Sequence, residues 1–339
     1  FSILARSRSF RGESTPIRVN LVNRCHPRSM ILTVTPNPCV DKTVFIEELK
    51  LGTVNRGRKC TCIPGGKGTN VSRAVKALGR PTKAIVVVGG HTGRHVVEMI
   101  VNQDGVECIP VWVASPTRTI TTVLEESIPR QTPLFEPGSQ VTQEEYERLK
   151  ATFRQVIPEA KVVTFSGTVC DANIQQLYRE LIPIAKARDV ITILDSHGSE
   201  FGLGLEVIPY MVKPNITETE ELVGFALQTE EAKWRAIDFF HEKGVRLVVL
   251  SLGKEGALVS RDGERLRVVP PAIQEVNPVG SGDALVAGFA IGLMEGMPLE
   301  EMARLACAAG TANAMSWDIG HFTQAQVEAV AKHVVIRHL

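Results

Sequence analysis

From Met30 onward, short apolar runs alternate with longer segments of helical patterning. Six runs predict buried strands: Ile31–Thr35, Ala84–Val88, Val162–Phe165, Val190–Leu194, Tyr210–Lys213 and Arg246–Ser251. Nine segments predict helices: Thr69–Leu78, Arg94–Val101, Gln143–Val156, Asn173–Ala187, Glu218–Phe225, Thr229–Lys243, Ser281–Glu295, Leu299–Met315 and Gln324–His333. Strands that are apolar throughout are typical of a parallel sheet with helices on both faces, so the predicted class is α/β.

Two segments interrupt this alternation, about 42–63 and 108–126. They contain β-branched runs such as Thr43–Ile46 and Thr119–Val123. Runs of this kind predict a small antiparallel sheet that is inserted into the α/β core.

Composition excludes several classes of function. The 38 basic and 37 acidic residues nearly balance, so nothing favours a nucleic-acid partner. No apolar run in the sequence approaches the roughly 20 residues that cross a bilayer. The seven cysteines form neither a disulfide framework nor a C-x-x-C pair, which predicts free thiols and a cytoplasmic protein.

Residues 1–29 differ from the rest of the chain. They contain six arginines, no lysine and a single acidic residue, Glu13. A transit peptide has this composition. Because Met30 directly precedes the first predicted strand, we favour a non-native or over-extended leader, with Met30 as the true start. We expect this leader to be disordered and assign 30–339 to one domain.

The sequence Asn-Pro-Val-Gly-Ser-Gly-Asp-Ala at 277–284 precedes an apolar predicted helix. A glycine-rich turn of this kind brings the unpaired N–H groups of Gly280, Ser281 and Gly282 to a helix N-terminus, which favours anions. Asp283 is consistent with a base that takes a proton from a hydroxyl while the N–H groups hold a phosphoryl group. The alternative is an ordinary helix start with a favourable first-turn charge.

A second glycine-rich turn, Pro64–Asn70, precedes another predicted helix and contains Gly66 and Lys67. Lysine is a compact point charge suited to phosphate. The spacing is not that of a Walker A loop, and the chain has no strand–GxGxxG–helix unit. Two such turns, one with Lys67 and one with Asp283, indicate one subsite for each of two phosphorylated ligands.

Three further positions are candidates with open alternatives. Asn215 and Glu218 are three residues apart at a strand-to-helix junction, where they could bind Mg²⁺ through waters or simply cap the helix. Asp41 follows a proline-stiffened turn and could accept hydrogen bonds from sugar hydroxyls, or cap that turn. Arg118 could reach a ligand phosphate, or be a solvated charge at a sheet edge.

Taken together, these segments resemble the PfkB, or ribokinase-like, family of carbohydrate kinases from Met30 to about Trp317. The resemblance rests on TPNPCVD (35–41), PGGKGTNVSRAVKALG (64–79), SPTRT (115–119), FSGT (165–168), VKPNITETE (212–220), SLGKEGA (251–257) and NPVGSGDALVAGF (277–289). The TPNP opening and the lysine in GGKG are similar to the branch that phosphorylates ketohexose phosphates, which includes 1-phosphofructokinase and tagatose-6-phosphate kinase.

The resemblance implies a three-layer α/β/α core with a mostly parallel sheet, the inserted sheet forming a lid over the sugar. It implies Asp283 as the base, with Gly280, Ser281 and Gly282 as the anion hole. It implies that the sugar phosphate is held by Asp41, Gly66, Lys67, Asn70 and Arg118. Asn215 and Glu218 would organise Mg²⁺ and the triphosphate of ATP, while Ser251, Gly253 and Asn313 would line the nucleotide side.

The activity that the resemblance implies is transfer from ATP to fructose 1-phosphate, giving fructose 1,6-bisphosphate, in a homodimer that pairs through the lid. Tagatose 6-phosphate or fructose 6-phosphate is an alternative acceptor, and a non-catalytic sugar-phosphate sensor or a kinase for unphosphorylated sugars or nucleosides is a further alternative. One departure from the branch pattern bears on the acceptor. After Ser166-Gly167 the branch usually continues with a small residue, Leu and Pro, whereas this chain has Thr168-Val169-Cys170.

Overall fold

The computed structural model describes residues 29–128 and 130–339, so the predicted leader lies outside the described residues except for Ser29. The strands are β1 (Met30–Thr35), β2 (Cys39–Ile46), β3 (Lys59–Gly65), β4 (Thr82–Gly89), β5 (Glu107–Val113), β6 (Thr119–Glu125), β7 (Arg130–Phe135), β8 (Ala160–Ser166), β9 (Ile191–Asp195), β10 (Met211–Val212), β11 (Leu247–Ser251), β12 (Ala257–Arg261), β13 (Glu264–Val269) and β14 (Val335–His338).

The helices are α1 (Lys67–Ala77), α2 (Gly90–Asn102), α3 (Gln143–Val156), α4 (Leu177–Lys186), α5 (Gly198–Glu206), α6 (Ile216–Val223), α7 (Glu230–Glu242), α8 (Ser281–Glu295), α9 (Leu299–Ala314) and α10 (Gln324–Ala331). All nine predicted helices are present, although the segment 173–187 starts with a 3₁₀ turn at Ala172–Ile174 before α4. Within the described ranges, no helix is long and apolar enough to span a membrane.

A large sheet of ten strands forms the centre, in the order β14-β13-β12-β11-β10-β9-β8-β1-β4-β5. The strands from β11 to β5 in this order are parallel, and β12, β13 and β14 add antiparallel pairs at one edge. The parallel strands bring their carboxyl ends to the same edge of the sheet. Ligands of open α/β sheets bind at this edge.

Helices cover both faces of the large sheet, which confirms the predicted α/β/α layering. Alternate residues of β1 show this, because Ile31 belongs to one apolar cluster and Leu32 to another. The Ile31 cluster contains α1, α8 and α9, whereas the Leu32 cluster contains α3, α4 and α7. Period-two side chains of a buried strand enter two cores in this way.

The second sheet contains four strands in the order β3-β2-β6-β7. It contacts the main body through Phe45, whose ring centroid lies 5.8 Å from that of Trp317. Side chains of this small sheet and of the loops at 277–279 and 317–319 together line a narrow cavity of about 50 Å³. The small sheet therefore covers the region in front of α8.

The predicted extent of the inserted sheet, 42–63 and 108–126, is wrong in two respects. Strand β5 pairs with β4 at the edge of the large sheet, so residues 107–113 belong to the core. The small sheet instead begins at Cys39 and includes β7, which ends at Phe135. It is also not purely antiparallel, because β2 and β6 run parallel.

Helix α5 and the antiparallel strands β12–β14 were not predicted from the sequence. Helix α5 contains three glycines in nine residues, and no side chain caps its start. Local signals therefore argue against a helix here, and packing of Phe201 and Leu205 into the core overrides them.

Candidate active site

Helix α8 begins at a glycine turn that leaves its first N–H groups without a side-chain cap. Its N-cap, Gly280, has φ of 81°, a conformation that glycine adopts at little cost. A Cβ atom at Gly280 would also overlap Cγ2 of Ile319, so both conformation and space require glycine. In the first turn, the Asp283 side chain is buried, with the residue only 7% exposed. This is an anion-binding helix start with a carboxylate inside it.

Helix α1 begins with the same device. Its N-cap, Gly66, has φ of 115° and no side-chain cap. A Cβ atom at Gly66 would lie 2.7 Å from Cγ2 of Thr35, so this turn packs against the carboxyl end of β1. That packing fixes Lys67 and Asn70 at the ligand-binding edge of the sheet.

The two glycine turns meet in space. Asn70 on α1 donates a 2.8 Å hydrogen bond from Nδ2 to Oδ2 of Asp283, across 213 residues of sequence. Lys67 contributes a positive charge to the electrostatic environment of Asp283. The lysine turn and the Asp283 turn are therefore adjacent, with the candidate crevice between them, as expected if each holds one of two ligands that react together.

A second carboxylate, Asp195, lies beneath this crevice at the end of β9 and is fully buried. Nζ of Lys213 lies 3.1 Å from its Oδ1, and Nζ of Lys67 lies 3.5 Å from the same atom. Burial opposes ionisation, but these two ammonium groups hold the pKa of Asp195 below its usual value. Asp195 is thus a buried anion that fixes two lysines beside the site.

The electrostatics of Asp283 differ from those of Asp195. Burial and then the charge of Asp195 raise the pKa of Asp283 to about 6, although Lys67, the Asn70 hydrogen bond and Lys213 each act to lower it. A carboxyl group with a pKa of this size is ionised at neutral pH yet basic enough to accept a proton. Conversely, Asp195 above all raises the pKa of Lys67, which burial opposes, so this lysine is a permanent cation.

Lys213 was not predicted as a site residue, although it belongs to the VKPNITETE motif at 212–220. It is 5% exposed, and its Nζ lies 3.6 Å from the point that a Cβ of Gly282 would occupy. A cation therefore lies directly beside the glycine turn of α8. The sequence signal for Lys213 and Asp195 is their position at strand ends, but only the strand order β9-β10 brings them together.

The predicted sugar-side residues, Asp41 and Arg118, lie at the base of the small sheet. Asp41 lines the narrow cavity in front of α8, and burial raises its pKa while Arg73 lowers it. The Arg118 guanidinium lies 5.9 Å from the Phe135 ring centroid and donates from Nη2 to the Asn37 carbonyl oxygen at 3.4 Å. Its Nε is buried without a hydrogen-bond partner. An unpaired buried donor of this kind fits an anionic ligand.

Asn215 and Glu218 form a capping box at the start of α6. The Asn215 side chain accepts from the Glu218 N–H at 2.8 Å, and Glu218 Oε2 accepts from the Asn215 N–H at 2.9 Å. The helix-cap alternative is therefore observed. Glu218 also raises the pKa of Lys67, so its charge reaches the crevice. Among the described residues, no group of three His, Cys, Asp or Glu side chains could hold a metal ion.

Of the residues predicted for the nucleotide side, Ser251 ends β11 and Gly253 follows it, whereas Asn313 lies in α9. Ser251 donates to the Pro214 carbonyl oxygen at 3.3 Å, and Gly253 faces open space with φ of 59°. Asn313 is 1% exposed, donates to Val279 O and Ser281 Oγ and accepts from Gly320 N–H. Because these bonds occupy both ends of its amide, we interpret Asn313 as a residue that supports the Gly280 turn and not as one that contacts the nucleotide.

An acid of raised pKa beside an uncapped helix start, with two lysines held next to it by Asp195, is the arrangement expected of a phosphotransferase whose acceptor is an alcohol. The comparison with known families agrees. Residues 34–316 match the model described as pfkB family carbohydrate kinase. The chain belongs to this family, which confirms the resemblance that the motifs indicated.

The relatives cover nearly all of the chain. A tagatose-6-phosphate kinase of Staphylococcus epidermidis is 31% identical over 312 residues, which cover 91% of this chain and 99% of that protein. Phosphofructokinase-2 from Escherichia coli, in its tetrameric inhibited form, is 27% identical with a TM-score of 0.83, covering 90% and 99% of the two chains. An Arabidopsis thaliana ribokinase, 23% identical, shares the fold with a TM-score of 0.74 over 90% and 99%.

Proposed function

We propose that this kinase transfers the γ-phosphoryl group of ATP to a hydroxyl of a ketohexose phosphate, with fructose 1-phosphate as the first candidate acceptor. The observation that carries the proposal is the hydrogen bond between Asn70 and Asp283, which joins the two glycine turns into one crevice. One turn would hold the phosphoryl group, and the other would hold the acceptor beside the base.

Phosphoryl transfer requires mainly alignment and charge stabilisation, because the transition state spreads negative charge over equatorial oxygens. The N–H groups of Gly280 and Gly282 at the start of α8 would donate to those oxygens, with Lys213 beside them. The Ser281 N–H, the third predicted donor, is bonded to the Pro278 carbonyl oxygen at 3.1 Å and would have to leave it to take part. Asp283 would take the proton from the attacking hydroxyl. Its pKa of about 6 keeps it ionised at neutral pH while it remains a competent base.

The residues on the predicted sugar side indicate that the acceptor carries a negative charge. Arg118 has an unpaired buried donor, and Asp41 lies nearby in a cavity lined by the small sheet. A neutral sugar or nucleoside needs no arginine there, whereas a sugar phosphate does. Gly66, Lys67 and Asn70 would complete the binding surface for the sugar phosphate.

Magnesium is expected as the partner of the triphosphate, and the residues present fit it. Mg²⁺ keeps several waters and takes only one or two protein carboxylates besides phosphate oxygens, so no three-residue cage is needed. Glu218 keeps one carboxylate oxygen outside the capping box, and Asn215 is its neighbour in that box. When bound, the ion would neutralise phosphate charge at the nucleotide. Ser251 and Gly253 would line the nucleotide on the adjoining strand end.

Tagatose 6-phosphate is the second candidate acceptor, because the curated relatives that share 31% identity are tagatose-6-phosphate kinases. Fructose 6-phosphate is the third, since a phosphofructokinase-2 structure that is 26% identical contains it. All three candidates carry one phosphate and present a primary hydroxyl at the other end. The loop at 168–170, which contacts Asn37 through the Val169 carbonyl oxygen, is the place where discrimination would arise.

An acceptor panel tests the proposal. Purified protein is assayed by coupled ADP release with MgATP and fructose 1-phosphate, fructose 6-phosphate, tagatose 6-phosphate, fructose or ribose. We expect the highest kcat/KM with a phosphorylated ketohexose, and fructose 1-phosphate first among the three. Faster phosphorylation of ribose or fructose would contradict the sugar-phosphate assignment, and no ADP release with any acceptor would favour a sensor.

We also propose that the small sheet pairs with that of a second copy. Its outer strands are β3 and β7, and on β7 Leu134 and Phe135 are 57% and 65% exposed. Unpaired strand edges with apolar side chains are covered in stable proteins. Light scattering after size exclusion should show a dimer that Leu134→Lys weakens, and a monomeric native protein would refute this.

A further inference from the structure

Arg73 on helix α1 is a buried arginine that no step of the proposed reaction uses. It is 5% exposed, and its guanidinium joins four segments of the chain. Nε donates to Asp104 Oδ1 at 2.8 Å, and Nη2 donates to the carbonyl oxygen of Pro64 at the end of β3. Nη1 donates to the Ile319 carbonyl oxygen at 3.2 Å and to Oδ1 of Asn70 at 3.1 Å.

The bond to Asn70 has a consequence for Asp283. The oxygen and nitrogen of an asparagine amide are almost the same size, so only hydrogen-bond partners decide which way the amide points. Arginine can only donate, so it holds Oδ1 of Asn70 on its own side. Nδ2 must then point to Asp283, to which it donates at 2.8 Å. A reversed amide would place an oxygen against the carboxylate.

We propose that Arg73 is a positioning residue for the reaction, which acts through Asn70 by locking its amide so that Nδ2 always donates to the Asp283 carboxylate. This inference rests on the proposed function, in which Asp283 is the base. Asp104 serves as the anchor of Arg73, because its side chain is only 5% exposed and pairs with Nε. Without the lock, the Asn70 amide would be free to reverse.

The direction of the effect follows from the charges around Asp283. Asp195 acts against its ionisation, and Lys67, Lys213 and the Asn70 donor support it. Losing the donor, or replacing it with an amide oxygen, removes one support of the ionised form. The acid limb of the pH profile should therefore move to higher pH. A hydrogen bond to a charged group is strong enough to move it by about one pH unit.

The test uses the full-length protein and the double variant Arg73→Met/Asp104→Leu. Replacing both members of the Arg73–Asp104 pair leaves neither of them as an unpaired charge, so the fold is retained more readily than after a single substitution. Arg73 also lowers the pKa of Asp41 on the sugar side, so the same shift is required in kcat, which reports the enzyme–substrate complex, as well as in kcat/KM. The matched control is Arg80→Met/Glu295→Leu. It removes an arginine–carboxylate pair that joins the loop after α1 to Glu295, the last residue of α8. Circular dichroism and thermal melting check the fold of each variant.

The readout is kcat/KM for the sugar phosphate between pH 5 and 8.5, which reports groups of the free enzyme. The phosphate of the substrate also titrates near pH 6, but equally for every variant, so only differences from the wild type are interpreted. We expect the acid limb of Arg73→Met/Asp104→Leu to shift upward by about one pH unit. The loss at pH 6 should be about fivefold, because the ionised fraction of Asp283, whose pKa is about 6, falls from about one half to about one tenth. The KM for ATP should stay within about twofold.

Failure of this inference is distinct from failure of the proposed function. A wild-type protein without activity on any acceptor refutes the function itself. An active wild type with an unshifted acid limb in the folded double variant overturns the role of Arg73, as does an equal shift in the Arg80 control. If the double variant does not fold, Arg73→Lys decides, because it keeps the charge beside Asp104 but not the fork that reaches Asn70. An acid limb unchanged in Arg73→Lys then overturns the proposal.

Discussion

The starts of α1 and α8 use the same backbone device with opposite charges. Both begin at a glycine with positive φ, and neither has a side-chain cap. By contrast, α3, α6 and α10 begin with capping boxes, so their first N–H groups are already bonded. The α1 turn adds a cation, Lys67, whereas the α8 turn adds an acid, Asp283.

Under the proposed function, this difference would let one edge of a sheet serve both binding and chemistry. An uncapped helix start with a lysine only attracts anions. An uncapped start with a carboxylate would, in the proposed reaction, pair donors for a phosphoryl group with a base for the hydroxyl that attacks it. In both turns the glycines favour anion binding. The residue that follows them, Lys67 in one turn and Asp283 in the other, distinguishes the two proposed roles.

The largest expected effect comes from removing the acid of α8. Asp283→Asn should lower kcat by about 10²–10⁴-fold, because a positioned base contributes about that much. The KM for ATP should change little, since the backbone N–H groups and Lys213 remain. Coupled ADP release measures kcat, and nucleotide binding is measured by calorimetry.

Asp262→Asn is the control for this substitution, because Asp262 pairs with Arg246 at the surface and lies outside the crevice. We expect near-normal turnover in this variant. A similar loss in both variants, or normal turnover in Asp283→Asn, would contradict the assignment of the base.

Removing the cation of α1 should have the next largest effect. Lys67→Met should raise the KM for the sugar phosphate about 10–100-fold, the value of a hydrogen bond to a charged group, and raise the KM for ATP less. Lys213→Met is the matched comparison, because both lysines pair with Asp195 and only Lys213 lies beside Gly282. It should lower kcat more than it changes the sugar-phosphate KM. Identical profiles for the two variants would remove the distinction between the two turns.

Glu218→Gln separates the metal role from the cap. Glutamine at this position of a capping box can still accept from the Asn215 N–H, so α6 should remain intact. The charge is lost, however, and half-maximal activity should require up to about tenfold more Mg²⁺, the scale on which metal affinity responds when a supporting group is lost. The control is Glu145→Gln in the capping box of α3, far from the crevice in sequence. Equal Mg²⁺ dependence in all three proteins would leave Glu218 as a cap alone.

The sequence was sufficient for the local parts of this site. Both glycine turns, the helices that follow them and the apolar strands are short-range patterns, and the structure contains all of them. Specific side-chain contacts between residues far apart in the sequence could not be predicted. The bond from Asn70 to Asp283 and the pairing of Lys213 with Asp195 depend on the order of parallel strands, which composition and periodicity do not encode.

The same reason explains the error at β5. Its β-branched residues resemble those of β6, yet β5 joins the large sheet and β6 the small one. Strand propensity describes a residue that suits a half-buried pleated surface, without specifying which surface. Asn313 shows a related limit of sequence-based prediction. A polar residue close to a ligand-binding loop can hydrogen-bond to that loop and stabilise it without contacting the ligand.

The smallest expected effect concerns stability. It tests whether the ionised acid of α8 lowers the stability of the folded state, which the cation of the α1 turn does not do. The pKa of Asp283 is raised from 3.8 to about 6, so ionised Asp283 destabilises the folded state at neutral pH. Asp283→Asn should therefore raise the free energy of unfolding at pH 7.5 by about 1 kcal/mol, which is observed as a higher urea midpoint. This is less than the roughly 3 kcal/mol that two pKa units represent, because the new amide is still buried.

The pH dependence of this gain fixes its origin. Because the folded state holds the Asp283 proton more tightly than the unfolded chain, the wild type gains stability relative to Asp283→Asn as the pH falls from about 6 towards 4. The advantage of the variant should shrink over that window, and urea midpoints at pH 7.5, 6 and 5 measure it. If the urea midpoints of variant and wild type differed by the same amount at all three pH values, the pKa of Asp283 would not be raised by its surroundings. The two helix starts would then differ in charge alone.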